Sequence, residues 1–178
     1  MKIIYALLLS LSSLGMAAEV ETKSSEFTWE ATKVVGGGHH GTIDLKSSDL
    51  KTHKGALKSG TFIIDMKSID VTDLSGDWKT KFVTHITSKD FFQVEKYPTS
   101  KLVIDKVVNG QASGKLTIKE KTNPVSFEIE KQKGYYVGKL EIDRTKYGVI
   151  YGSGQFFKGL GDKTISDVFS VGFKFKIK

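Results

Sequence analysis

Residues 169–178 have the sequence FSVGFKFKIK, in which large apolar side chains alternate with small or polar ones. Phenylalanine, valine and isoleucine occupy the odd-numbered positions, whereas serine, glycine and lysine occupy the even-numbered positions. Successive side chains of a β-strand point to opposite faces of the sheet. The segment therefore predicts an antiparallel strand with one buried face and one solvated face.

The same two-residue period recurs along the chain. It is present in Phe27/Trp29/Ala31, Ile43/Leu45, Phe62/Ile64/Met66, Leu116/Ile118, Val125/Phe127/Ile129 and Leu140/Ile142. Turn-forming residues interrupt it at Gly110, at Thr122-Asn123-Pro124, at Gly134 and at Gly148. Several short strands at this spacing are typical of a β-sandwich or a β-barrel.

Residues 76–87 depart from this period. Trp78, Phe82 and Ile86 lie four residues apart, and this spacing places side chains on one face of a helix. We therefore predict one short amphipathic helix in a protein that is otherwise all-β.

The first residues have the organisation of a secretory signal peptide. Lys2 supplies a positive charge, residues 3–14 are mostly apolar, and residues 15–18 provide a small-residue cleavage site. The apolar run is too short to span a bilayer, which needs about 20 residues. We predict a signal peptide at 1–18, one mature domain at 19–178, and a periplasmic or secreted location.

Composition narrows the remaining classes of function. The chain has no cysteine, so a hydrophobic core rather than disulfides must stabilise the domain. Its formal net charge of +7 permits transient contact with an anionic membrane surface. Because the lysines are scattered as on solvated strand faces, and because the protein is expected to be exported, nucleic-acid binding is not expected.

A glycine-rich stretch matches the spacing of a dinucleotide-binding loop. Gly36, Gly38 and Gly41 form G-x-G-x-x-G, but this motif needs a helix immediately after it. Residues 42–46 alternate like a strand instead, so we interpret the glycines as residues that allow a tight turn between two strands.

The four histidines of the chain, His39, His40, His53 and His85, are candidate metal ligands. Adjacent residues of a strand point to opposite faces, and no acidic residue or cysteine stands at ligand spacing. We expect no metal and no other cofactor. The alternatives are a turn histidine bonded to backbone groups and a polar contact at the opening of a cavity.

No residue pattern argues for catalysis. Ser153, between two glycines, lacks the spacing of a nucleophile elbow, and nothing brings Asp90 and Glu95 together as an acid–base pair. Arg144 is the only arginine among 27 basic residues. Its planar group of five donors suits either a buried pair with a carboxylate, which we favour, or a ligand head group.

Taken in order, these segments resemble the YceI-like family. The resemblance rests on Trp29, the Gly38-His39-His40-Gly41 turn, Gly60–Ile69, His85–Phe92, Glu95–Pro98, Gly114–Lys119 with Thr122–Val125, and Asp143-Arg144 with Tyr147-Gly148. It covers nearly all of residues 19–178. Glu120 departs from the pattern, because the family usually has glycine at this position.

The resemblance implies an extended, lipocalin-like antiparallel β-barrel of about eight strands with a long-chain isoprenoid or other lipid inside it. A barrel of this size has just enough interior to hold a slender ligand. The side chains that we expect at the ligand are Trp29, Phe62, Ile64, Trp78, Phe82, Phe91, Phe92, Leu116, Ile118, Phe127, Leu140, Phe169, Val171 and Phe173. Of the adjacent pair Phe91 and Phe92, we expect one ring to fill the core and the other to border the cavity.

The leading hypothesis is an exported, non-enzymatic lipid-binding protein that carries or stores its ligand. Two rivals remain open at this point: a structural or stress-response barrel with a filled core, and an enzyme of isoprenoid metabolism. Cavity volume distinguishes the lipid-binding protein from the structural barrel, because a filled core leaves no room for a ligand.

Overall fold

Antiparallel β-strands and one α-helix make up most of residues 16–178, which the computed structural model describes. The strands are β1 (Met16–Ala18), β2 (Glu26–Lys33), β3 (Gly38–His53), β4 (Ala56–Val71), β5 (Thr99–Val108), β6 (Gln111–Ile118), β7 (Lys121–Gln132), β8 (Tyr135–Asp143) and β9 (Ile165–Phe175). Helix α1 spans Gly76–Thr87, as the four-residue spacing predicts. Short 3₁₀ helices lie at Thr22–Ser24, Arg144–Tyr147 and Gly161–Lys163.

Eight of the strands close into a barrel. Hydrogen bonding follows the order β3-β2-β9-β8-β7-β6-β5-β4, and β4 pairs back with β3. The two longest strands, β3 and β4, shift register at three places, and such bulges increase strand twist and bending. The predicted eight-stranded antiparallel barrel with one helix is therefore confirmed.

The predicted signal peptide is only partly within the described chain. Residues 1–15, which carry most of it, lie outside, whereas Met16–Ala18 form β1 and pair with Leu50–Thr52 of β3. Removing residues 1–18 would take away β1 but none of the eight barrel strands. No helix within 16–178 has the length and apolar character needed to cross a membrane.

Two-residue turns connect four of the hairpins. Both turn residues have positive φ at Lys54-Gly55, Asn109-Gly110, Lys119-Glu120 and Lys133-Gly134. This backbone is that of type I′ turns, which favour glycine at the second position. The breaks expected at Gly110 and Gly134 are confirmed.

The break expected at 122–124 is wrong. These residues lie inside β7, and the chain reverses at Lys119-Glu120 instead. Pro124 pairs with Lys115 of β6, while pairing between β7 and β8 is limited to Ile129–Gln132. A proline, which has no N–H group, is tolerated here because this part of β7 has a strand partner on one side only.

One end of the barrel is filled by side chains. Val20, Leu50, Leu57, Tyr136 and Phe175 are each at most 6% exposed there. The Leu57 N–H donates to the Tyr136 hydroxyl oxygen at 2.8 Å, and the rings of Tyr136 and Phe175 stack with centroids 5.4 Å apart. These five residues define the closed end.

The opposite end is covered by α1 rather than by strands. Ile86 of the helix packs with Met66, Ile69 and Val94 in a small cluster beside the main core. This end also contains the turn at 34–37 between β2 and β3, and the segment 148–164 between β8 and β9. We call it the open end.

Candidate functional site

The barrel contains a cavity of about 480 Å³ with an almost entirely apolar wall. Small-molecule sites in proteins commonly have volumes of about 300–1,000 Å³. Side chains therefore do not fill the interior of this barrel, contrary to what a purely structural barrel with a filled core requires.

Thirteen of the fourteen side chains expected at the ligand line this cavity. They are Trp29, Phe62, Ile64, Phe82, Phe91, Phe92, Leu116, Ile118, Phe127, Leu140, Phe169, Val171 and Phe173. Several inward-facing ones, including Phe92, Phe169 and Val171, are only partly buried, because the cavity leaves them without neighbours on one side. Whether they touch a ligand stays a prediction.

Trp78 does not line the cavity, so its expected position is wrong. Its side chain is 73% exposed, and Lys81 Nζ lies 5.4 Å from its ring centroid. A spacing of four residues advances about 40° around a helix, so Trp78 and Ile86 differ by about 80°. Phe82 and Ile86 face the cavity, whereas Trp78 on the first turn points towards solvent.

Phe91 and Phe92 both reach the cavity, but at different depths. Phe92 packs against Phe169 with centroids 6.2 Å apart, whereas Phe91 contacts Tyr151 at 5.2 Å and His85 at 5.1 Å. The two residues lie in the turns after α1, where the opposite-face rule for strands does not apply. The expectation that only one of them borders the cavity is therefore wrong.

The opening of the cavity lies beside the turn between β2 and β3. Four wall residues there, Thr32, Lys33, Gly37 and Gly38, are exposed to solvent. We call these four residues the mouth. Four other polar residues, His39, His85, Arg144 and Ser166, line the same end. A ligand with one polar end and one apolar end would therefore fit with its polar end at the mouth.

His39 connects the mouth to the helix. Its Nδ1 lies 2.9 Å from Asp73 Oδ2, and its ring centroid lies 4.6 Å from that of Phe82. Burial opposes ionisation of Asp73, but the hydrogen bonds from His39 and the His40 backbone N–H outweigh it and lower the pKa of this carboxyl. The sequence left two alternatives for this histidine: a turn residue bonded to backbone groups, or a polar contact at the opening of a cavity. His39 lies in a strand, β3, and not in a turn, so the second alternative is the one observed.

The glycines before and after His39 have different roles. Gly36 has φ of +98° and forms the turn, whereas Gly41 lies within β3. A Cβ at Gly41 would overlap the Asp70 carbonyl oxygen and approach the Trp29 ring. The strand β3 begins at Gly38, so a strand stands where a dinucleotide-binding loop needs a helix. The turn role expected of the glycines holds for Gly36 and is wrong for Gly38 and Gly41, which lie inside β3.

Arg144 is buried and uses all five of its N–H groups within the protein. Nε donates to the Ser166 carbonyl at 2.9 Å, and Nη1 donates to the carbonyls of Val149 and Tyr151, both at 2.8 Å. Nη2 donates to the Ile165 carbonyl at 3.1 Å and to Asp167 Oδ1 at 3.4 Å. The arginine thus fastens both ends of the segment 148–164.

This arrangement decides between the two roles considered for Arg144. Burial lowers the pKa of the guanidinium, an effect that Asp167 and then Asp143 oppose. No donor is left for a ligand head group. The carboxylate that it contacts is Asp167, and the neighbouring Asp143 instead accepts hydrogen bonds from the backbone and hydroxyl of Thr145.

Several wall residues were not expected from the sequence, among them Met66, Ile69, Ser100, Leu102, Ile104 and Ile129. In β5, Leu102 and Ile104 face inward but stand on either side of Val103, which is also apolar. A strand with apolar residues on both faces has no two-residue period, which explains why β5 was missed.

The residues considered for catalysis are engaged elsewhere. Ser153 is fully buried, and its Oγ accepts a hydrogen bond from the Gln155 N–H at 3.2 Å. Glu95 pairs with Lys67 at 3.0 Å, and Asp90 lies 3.7 Å from His85 Nε2. Within 16–178, no group of three or more histidine or acidic side chains could hold a metal ion.

The model of the YceI-like domain family matches residues 18–177, which is almost the whole described chain. The chain belongs to the YceI-like family. No curated protein matches the sequence. The family is therefore assigned from the domain model, in agreement with the order of motifs in the sequence.

Solved structures support the fold of this YceI-like protein. BcnA of Burkholderia cenocepacia has a TM-score of 0.67 at 19% identity, and the match covers 89% of this chain and 99% of BcnA. A polyisoprenoid binding domain from Saccharophagus degradans has a TM-score of 0.61 at 10% identity, covering 90% and 97% of the two chains. The YCEI protein of Campylobacter jejuni has a TM-score of 0.50 at 17% identity, covering 100% and 91%.

Proposed function

We propose that this YceI-like protein holds a long-chain isoprenoid or a similar lipid inside its barrel, for carriage or storage. The observation that carries the proposal is the cavity of about 480 Å³ with its apolar wall. A slender hydrocarbon chain suits such a wall, because each buried CH₂ contributes about 0.8 kcal/mol and needs no polar partner. The polyisoprenoid binding domain of S. degradans, which shares the fold, supports the ligand class.

The distribution of polar groups suggests how the ligand is oriented. The wall is apolar around Phe62, Phe127 and Phe173, whereas Lys33 and His39 stand at or beside the mouth. A hydroxyl or anionic head group would be hydrated or hydrogen-bonded at the mouth, and the chain would extend towards the closed end.

From the predicted signal peptide we infer that the protein functions in the periplasm or outside the cell, where transient contact with a membrane surface would supply the lipid. Deleting residues 3–14 should keep the protein in the cytoplasm without preventing folding, because the barrel strands lie outside this segment. Cell fractionation with amino-terminal sequencing tests this location. A stable envelope form that retains residues 1–18 would contradict it.

The binding proposal is tested by mass spectrometry of an organic extract of the purified protein. We expect a long-chain isoprenoid or similar lipid in amounts comparable to the protein. A protein that arrives without lipid and does not take up added geranylgeraniol would contradict the proposal.

A matched pair of variants on one strand adds a control. Val171 of β9 lines the cavity, whereas Val168 of the same strand is 46% exposed. Val171→Phe should reduce the cavity and the bound lipid, and Val168→Phe should leave the lipid content unchanged. If Val171→Phe leaves the lipid content as unchanged as Val168→Phe does, the ligand lies outside the barrel.

A further inference from the structure

Large apolar side chains are exposed around the open end. The exposed fractions are 73% for Trp78, 65% for Val34, 64% for Val35, 54% for Phe156 and 44% for Phe157. Folded proteins rarely leave neighbouring apolar groups in water, and such patches commonly mark interaction sites. We call these five residues the rim.

Hydrogen bonds and ring contacts bring the three rim segments to the same end. The Val34 N–H donates to the Thr164 carbonyl at 2.9 Å, which joins the turn at 34–37 to the segment 148–164. Tyr151 of that segment contacts His85 of α1 at 4.8 Å. The rim residues therefore all belong to segments at the end of the barrel at which the cavity opens.

The rim segments carry an excess of positive charge. Residues 33–38, 76–81 and 156–164 contain five lysines and two aspartates. The lysines are Lys33, Lys79, Lys81, Lys158 and Lys163. One of them, Lys79, is paired with Asp70 at 2.7 Å.

From these observations we propose that the rim docks onto a membrane surface that contains anionic lipid. Tryptophan and other large apolar side chains insert favourably at the boundary between head groups and acyl chains, and nearby lysines are attracted to anionic head groups. When the rim is docked in this way, the mouth of the cavity faces the bilayer. If the proposed function holds, a lipid chain can then enter the barrel without crossing water.

The charge favours a membrane over a second copy of this chain as the occupant. Two copies that met through their rims would bring two positively charged surfaces together, and such a contact is unfavourable. An anionic bilayer offers the complementary charge and an apolar phase for the exposed rings.

Vesicle co-sedimentation tests the docking surface. The full chain should bind vesicles of phosphatidylcholine mixed with phosphatidylglycerol more strongly than vesicles of phosphatidylcholine alone. The double variant Val35→Ser with Phe156→Ser should bind about tenfold more weakly, because it removes two apolar groups from the interface. Val108→Ser provides the matched control, because Val108 is 54% exposed but lies in the β5–β6 hairpin at the closed end.

Charge is tested separately. The double variant Lys158→Gln with Lys163→Gln should weaken binding to vesicles that contain phosphatidylglycerol and leave binding to phosphatidylcholine vesicles unchanged. The control is the double variant Lys106→Gln with Lys115→Gln, at exposed sites away from the rim, which should bind both kinds of vesicle as the unchanged protein does. Absence of vesicle binding, equal losses in the control variants, or a dimer that the rim substitutions dissociate would overturn the proposal.

Lipid content, measured in parallel, distinguishes this proposal from the proposed function. Purified protein that contains lipid but does not bind vesicles would contradict docking alone. Purified protein that binds vesicles through the rim but never contains or takes up lipid would contradict lipid binding and leave the docking surface supported.

Discussion

The two ends of the barrel are built differently although the same strands form both. At the closed end, the Phe175 ring contacts those of Phe27, Phe62 and Tyr136, with centroids 5.3–6.5 Å apart. At the open end, the rings of His85, Phe91 and Tyr151 contact one another but leave Tyr151 43% exposed, and His85 and Phe91 line the cavity. Dense packing stabilises one end, whereas access for a ligand requires the other to remain incompletely packed.

The hairpin turns show the same contrast. Lys54-Gly55, Asn109-Gly110 and Lys133-Gly134, at the closed end, all have glycine at the second turn position. Lys119-Glu120, at the open end, has a glutamate there with φ of +63°. A residue with a Cβ is strained in this conformation, so the open end also has the less favourable turn.

The largest effect on stability should follow from removing a buried ring at the closed end. We expect Phe175→Ala to lower the free energy of unfolding by about 3 kcal/mol, because a fully buried ring is removed and its neighbours can collapse only partly. Urea denaturation measures the loss, and Val108→Ala at the same end is the exposed control. A loss below that of an ordinary surface change would show that the closed end does not determine stability.

At the open end, stability should depend on the arginine rather than on ring packing. We expect Arg144→Lys to lower the free energy of unfolding by about 2 kcal/mol, because lysine has three donors in place of five and cannot reproduce the planar arrangement. Chymotrypsin should then cleave more rapidly at Phe156 and Phe157, since Arg144 fastens both ends of this segment. Lys158→Arg is the control, and an unchanged midpoint with unchanged cleavage would contradict the structural role.

The two phenylalanines after the helix should separate stability from binding. Phe91→Ala should lower the free energy of unfolding by about 1 kcal/mol and reduce the amount of bound lipid, because the ring lies at the outer part of the cavity. Phe92→Ala should cost about 2 kcal/mol, because its ring also packs against Phe169. Denaturation and lipid extraction are measured on each variant. If both lose stability and neither changes its lipid content, they are core residues and the site assignment is wrong.

The smallest effect concerns the turns. Glu120→Gly should stabilise the protein by about 0.5 kcal/mol, because relief of the positive-φ strain exceeds the added chain entropy of glycine. The reverse change at the closed end, Gly134→Glu, should destabilise it by about 1 kcal/mol, since space is open there but φ is +86°. Thermal denaturation of both variants gives the comparison, and shifts of the same sign would contradict it.

The sequence predicted the parts of the fold that local patterns control. The alternation in β9 and β6, and the four-residue spacing in α1, identified the elements because side-chain direction follows directly from backbone geometry. The strand β5 was missed, and the reversal at Lys119-Glu120 was placed a few residues too late, because neither carries the expected pattern or turn residue.

For the candidate site, the sequence supplied most of the wall but not its arrangement. Phe62, Leu116 and Phe173 could be assigned to the interior because an inward-facing position is a property of their own strands. Trp78, which points to solvent, and Phe91 and Phe92, which share the cavity, were misjudged because their directions depend on how α1 and the following turns pack over the barrel.

By itself, then, the pattern of residues determined antiparallel strands that each have one apolar, buried face, since a two-residue period requires this, and the resemblance to the YceI-like family selected a barrel over a sandwich. Only the tertiary structure decided that the interior contains a cavity, that it opens beside Lys33 and Gly38, and that Arg144 binds the carbonyls of a distant segment. These features depend on how strands far apart in the chain meet around a closed barrel, and no local pattern of residues encodes the volume that is left between them.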